Sequence, residues 1–286
     1  MSKYSSNFDL QPRIPTTAWG LVIRAVIAVV VLLTANSIRI PISSWLINPQ
    51  NAQTGDTPDQ VLLSSLIFLL TPVVVFAFLA LWMPLVERRG LKTISFPHWR
   101  GILPGIVGGT VTVAVPVAIA WPLAMALAEP LDNSPAQNSD IGGTLIGAYV
   151  VYFLVRSFLL QGIPEEFLFR GWLFSTTKSK PLFSLVWTAL AFTVIHLTSS
   201  GGQQSTKDFI LYLVMPLGMG AIAGAVVLWT ENTWWAAGTH GGFHIILTVL
   251  SMLFPFSMGS STWVVLGIMQ VLAAVVMTLA WLRRRN

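Results

Sequence analysis

Residues 142–177 read GGTLIGAYVVYFLVRSFLLQGIPEEFLFRGWLFSTT. At 1.5 Å per residue a helical unit of this extent is roughly 50 Å long. That is too long for one straight crossing of about 30 Å of hydrocarbon and too short for two. Gly162 and Pro164 predict a bend, with the carbonyl four residues before the proline, Leu160, left without its helical partner. Membrane helices tolerate such breaks where protein or a wet cavity satisfies the freed backbone. The same stretch carries Glu165, Glu166 and Arg170 inside an apolar run. An ionisable residue at the centre of a membrane helix costs at least ~2.5–3.5 kcal/mol on insertion scales, so such residues face one another or a wet cavity.

Outward from this stretch, apolar segments recur at about 19–35, 61–83, 101–128, 182–199, 208–229, 234–254 and 263–282. With 142–177 they predict an all-α, polytopic membrane helical bundle of about eight transmembrane helices. Composition agrees: 54% of the 286 residues are hydrophobic and 9% charged, against roughly 25% charged in soluble domains. So few charges cannot cover a soluble surface. The first apolar run reads as an uncleaved span, because its polar lead-in is long and no clean small-residue cleavage site follows. The expected organisation is a polar cytoplasmic tail (1–18), N-terminal transmembrane helices (19–140), a membrane core that holds the buried charges (141–254), and a last helix with a basic C-terminus (255–286).

The net charge of +5 invites a nucleic-acid reading, but the basic residues sit in short clusters between apolar segments and read as membrane orientation. Lys3 and Arg13, then Arg88, Arg89, Lys92 and Arg100, then Lys178 and Lys180, then Arg283–Arg285 all fall on one side of an eight-span topology. Asp56 and Asp59, then Glu129, Asp132 and Asp140, and the nearly neutral 199–207 and 255–262 loops fall on the other. Both termini are therefore expected in the cytoplasm, in a plasma membrane of bacterial type. Gly101, Gly105 and Gly109, and Gly220 and Gly224, have the four-residue spacing that lets helices pack closely. The absence of cysteine removes disulfides and thiolate chemistry. Carboxylates, histidines and hydroxyls remain.

Three clusters stand out: Pro164-Glu165-Glu166-Phe-Leu-Phe-Arg170-Gly171, Phe192-Thr-Val-Ile-His196, and His240-Gly-Gly-Phe-His244. The helices flanking the turn near Lys180 run antiparallel, which puts Glu165 and His196 at nearly equal depth, roughly 20 Å from it. The next hairpin, near Asn232, places His240 and His244 about 12 and 18 Å in. One pocket can hold all of them. Glu166 and Arg170, four apart, form a same-face pair, while Glu165 points about 100° away. A carboxylate at a helix start, desolvated but near an arginine, is suited to take a proton from water. The plainer readings are a structural Glu166–Arg170 pair and interhelical histidines. His98 reads as surface, Arg156 is assigned no chemistry, and Trp234 and Trp235 read as interface anchors.

These motifs resemble, in order, those of the CAAX-protease and bacteriocin-processing family, which includes the eukaryotic prenyl-protein endopeptidase. Glu165-Glu166-x-x-x-Arg170 matches EExxxR, Phe192-x-x-x-His196 matches FxxxH, and His240-x-x-x-His244 matches the third motif. The resemblance covers about 160–250. It implies Glu165 as the base that activates water, Glu166 and Arg170 as ordering groups, and His196, His240 and residue 244 as completing the site. Position 244 is histidine where many members have asparagine, which leaves the oxyanion role open; histidine can also exchange a proton or bind metal.

The reading is an intramembrane endopeptidase that hydrolyses a peptide bond of a membrane-associated protein or peptide, in a cavity open towards the cytoplasm, with no cofactor favoured. Zinc on His196, His240, His244 and Glu165 is the metal alternative, although no HExxH run fixes its geometry. The functional alternatives are a non-catalytic scaffold or immunity protein and a proton-coupled transporter; the latter lacks paired broken helices in matching halves. The expected partners are the substrate and the lipid bilayer, with no nucleic acid.

Overall fold

A computed structural model of the chain describes residues 11–46, 57–94, 99–128, 142–199 and 201–285. Lys3, Asp56, His98, Glu129, Asp132 and Asp140 lie outside the described residues. Eight helices are long and apolar enough to cross a membrane: α1 (Ala18–Leu46), α2 (Pro58–Glu87), α3 (Ile102–Leu127), α4 (Gly143–Thr176), α5 (Pro181–Thr198), α6 (Thr206–Thr230), α7 (Thr233–Leu253) and α8 (Ser260–Arg285). No strand occurs among the described residues. The chain is thus an all-α integral membrane protein.

Local chemistry starts these helices where expected. Thr57 and Gln60 form a reciprocal capping box ahead of α2, and Asn232 accepts from the Trp234 N–H at the head of α7. Pro181 occupies the first turn of α5, where its missing N–H costs nothing. The tight α6–α7 turn passes through Glu231 in the left-handed conformation, φ 49°.

The bundle's outer surface is apolar. On α3, Leu103, Val107, Val111, Val115 and Ile119 form a four-residue stripe that is more than half exposed, while Gly105, Gly109, Val113 and Val117 face inwards. Small residues inside and branched aliphatics outside is the pattern of a helix solvated by lipid. A Cβ on Gly109 would lie 2.1 Å from the Trp235 carbonyl oxygen, so α3 and α7 touch backbone to backbone there. At the α5–α6 contact Gly220 leaves room for Arg170 Nη2 and the Ala189 backbone, and Gly224 for the Leu185 side chain. Trp234 is not an interface anchor: it is buried, its ring 4.8 Å from that of Phe167, and Trp235 packs over Gly108. The glycines of α3 leave room for indoles that hydropathy alone assigns to the headgroups.

Two elements depart from the expected outline. Helix α1 continues past residue 35 to Leu46, because Asn36 and Arg39 turn to the protein interior and not to lipid. Helix α4 runs on without interruption through Gly162 and Pro164, where a bend was expected. It absorbs the proline by winding more loosely, with π-helical stretches over Arg156–Gly162 and Phe167–Leu173, where the Ile163 N–H reaches the Phe158 carbonyl. Such π windings are frequent at functional sites.

The basic clusters share one end of the bundle. Arg13, Arg88 and Arg89 line one surface depression, and Lys178, Glu231 and Arg285 line another. Arg89 also donates to the Ser175 carbonyl at 3.0 Å, which joins the ends of α2 and α4.

Candidate active site

Between its two π windings α4 makes one α-helical turn, Ile163–Glu166, and that turn separates the two glutamates. Consecutive side chains diverge by about 100°. Glu166 turns into the protein, and Glu165 lines a cavity of about 500 Å³. Arg170 Nη1 donates to Glu166 Oε1 at 3.2 Å, and His240 Nδ1 lies 3.0 Å from the same oxygen. The guanidinium makes this one hydrogen bond and no second parallel one; its Nε and Nη2 are buried without a hydrogen-bond partner among the described residues. It lies instead 4.5 Å over the Phe192 ring, a cation–π contact.

Phe192 organises the histidines as well. The His196 ring centre lies 4.6 Å and the His240 ring centre 5.5 Å from that of Phe192. His196 Nδ1 is 2.8 Å from the Phe192 carbonyl oxygen. A carbonyl only accepts, so Nδ1 carries the hydrogen and the neutral ring keeps a lone pair on Nε2. His244 stands 5.3 Å from His240, ring centre to ring centre, and its ring nitrogens make no hydrogen bond among the described residues. Glu165, His196, His240 and His244 all line the one cavity; Glu166 and Arg170 sit behind it.

Among the described residues no group of three or more histidines and carboxylates is arranged to hold a metal ion. His240 Nδ1 is engaged by Glu166 and His196 Nδ1 by the Phe192 carbonyl, so zinc on His196, His240, His244 and Glu165 would have to be taken by the Nε2 atoms of the first two rings.

Two further features were not anticipated. Arg156, which was assigned no chemistry, lines the cavity together with Asn36, Arg39, Phe68 and Tyr152. These residues belong to the parts of α1, α2 and α4 remote from the basic end, as do Ser199 of the α5 end and Tyr212 of α6. The cavity therefore runs from Glu165 away from the basic end, and not towards it as expected. Large aromatic and aliphatic side chains such as Trp172 and Phe167 close the other direction.

The second feature is a buried ion pair joining α1 to α2. Arg24 Nε and Nη2 donate to Glu87 Oε1 and Oε2 at 2.7 and 2.9 Å, with exposures of 0% and 1%. The Trp172 indole N–H, two residues past Arg170, donates to the same Oε1 at 2.9 Å, and Trp82 does so at 3.3 Å. Arg24 inside the first apolar run was the available signal. Nothing in the sequence pairs it with a residue 63 positions away.

A comparison with known proteins finds no curated protein and no solved structure that matches the chain. One family model does match, over a stretch containing every residue of the three motifs. That family points to a membrane-embedded protease whose substrate is a membrane-associated protein or peptide. Residues 147–246 match the model of the Rce1-like family of type II CAAX prenyl endopeptidases, in agreement with the resemblance carried by the motifs at Glu165, His196 and His240.

Proposed function

We propose that the protein is an intramembrane endopeptidase in which Glu165 activates water. The observation that carries this reading is the division of the carboxylates: Glu165 faces the cavity beside three histidines, while Glu166 is held behind it by Arg170 and His240. Glu165 takes a proton from water as the oxygen attacks the peptide carbonyl, and returns it to the departing amine when the C–N bond breaks. His196, whose Nδ1 is committed to the Phe192 carbonyl, accepts a hydrogen bond from the same water through Nε2. An ionised Glu166 takes the His240 Nδ1–H, so a neutral His240 also offers only a lone pair to the cavity. His244, with both nitrogens uncommitted, is then the ring that donates to the oxyanion. Asparagine at that position in relatives supplies the same donor, which favours a reaction without metal.

The test is Glu165→Gln, which keeps size and hydrogen bonding but removes the base. Cleavage by purified protein in liposomes should fall about 10²-fold or more, with the thermal unfolding profile unchanged. Retained cleavage refutes the assignment. Wild-type protein that cleaves no membrane-anchored peptide but moves protons or solute across the liposome favours the transporter, and wild-type protein that does neither favours the scaffold.

A further inference from the structure

Beyond the motif residues, the cavity holds two guanidiniums that the proposed chemistry does not use. Arg39 lies over the Phe68 ring at 5.4 Å, the Phe68 and Tyr152 rings are 5.2 Å apart, and Arg156 follows Tyr152 by four residues on α4. This chain of contacts gathers Arg39 and Arg156 at the end of the cavity remote from the basic turns. Neither makes an ion pair among the described residues, and Arg39 Nε is buried without a hydrogen-bond partner among them. Guanidiniums at membrane depth normally find an anion. These two face a cavity that Glu165 shares.

We propose that Arg39 and Arg156 form an oxyanion-binding subsite that holds a carboxylate of a peptide substrate entering from the face opposite the basic turns. The inference rests on the peptidase reading for what lies at the other end of the cavity. Arg156 precedes Glu165 by nine residues, at most about 13 Å along the helix at the α-helical rise and less where the π winding over Arg156–Gly162 shortens it, which an extended peptide covers in no more than about four residues. The acidic group is thus placed within about four residues of the cleaved bond. Because basic loops mark the cytoplasmic side, the substrate reaches the site from the extracytoplasmic side. A lipid phosphate has the same chemistry, and the peptide is favoured because the guanidiniums share one cavity with Glu165.

The chain contains no cysteine, so a single introduced thiol reports on the subsite without any cleavage assay. Asn36→Cys places it three residues before Arg39 on the cavity wall, and Ser199→Cys is the alternative reporter if the first variant does not fold. Each is treated with sulfonatoethyl or trimethylammonioethyl methanethiosulfonate, in intact cells and in inverted vesicles, with Lys178→Cys as the marker of the basic end. The anionic reagent should react faster in intact cells, by about tenfold per guanidinium, the factor for reagents of opposite sign meeting one charge roughly 7 Å away across water. Arg39→Gln and Arg156→Gln should each reduce that preference, and Lys178→Cys should react only in inverted vesicles. In phosphate-free detergent, an acetylated tetrapeptide carboxylate should slow labelling, and its amide should not. Equal rates for the two reagents, a preference indifferent to both arginine variants, or labelling only from the Lys178 side overturns the proposal. Protection by glycerophosphate but not by the peptide assigns the site to lipid and overturns the peptide. The same labelling in the Glu165→Gln background keeps this outcome separate from that of the peptidase reading.

Discussion

Removing Arg24 tests whether the buried pair at the basic end holds α1 against α2. In Arg24→Ala, Glu87, 1% exposed beside the native guanidinium, loses both guanidinium bonds and keeps the two indole donors and Arg89 at 4.0 Å. Stripping one partner from a buried pair costs about 3–5 kcal/mol. The remaining Arg89 places the expected loss at the low end, about 3 kcal/mol. Glu87→Gln should cost less, about 1–2 kcal/mol, since its amide oxygen can still accept from Trp82 and Trp172 while Arg24 keeps the Pro15, Gly20 and Ile14 carbonyls. The double variant Arg24→Met with Glu87→Gln removes both charges and should be more stable than Arg24→Ala alone. Equilibrium unfolding in mixed micelles, read as a double-mutant cycle, measures these differences. A loss below about 1 kcal/mol for Arg24→Ala, the range of solvent-exposed pairs, would show that the pair is wet and the reasoning wrong.

Three further outcomes are expected. Reporters fused after Arg89 and after Lys180 should read cytoplasmic and those near Asp132 and Gly202 external; a cytoplasmic reading near Gly202 defeats the eight-span topology. Arg170→Lys should lose most activity although the charge is kept, because an ammonium cannot both lie flat over Phe192 and reach Glu166; full activity would reduce Arg170 to charge balance. Protein purified without chelator should contain substoichiometric zinc and His244→Asn should keep substantial activity, whereas one tight zinc per chain whose removal abolishes activity defeats the metal-free reading.

The number of helices and the identity of the motif residues could be read directly, because both rest on local properties. Apolar length decides whether a segment crosses the bilayer, and a charge inside such a segment is costly enough to stand out. The grouping of Glu165 with His196 and His240 followed from the same arithmetic, since antiparallel helices of known rise convert chain position into depth. Rotation about each helix axis could not be obtained in this way. Whether Trp234 meets lipid or Phe167, and whether Arg156 meets a headgroup or the cavity, depends on which face packs against which neighbour. The glycines of α3 and α7 settle that only when both backbones are in contact. The direction of the cavity depends on rotation too, because it requires the faces of α1, α2, α4 and α6 together. Pairings between residues far apart in the chain, such as Arg24 with Glu87, arise from packing that no local pattern encodes.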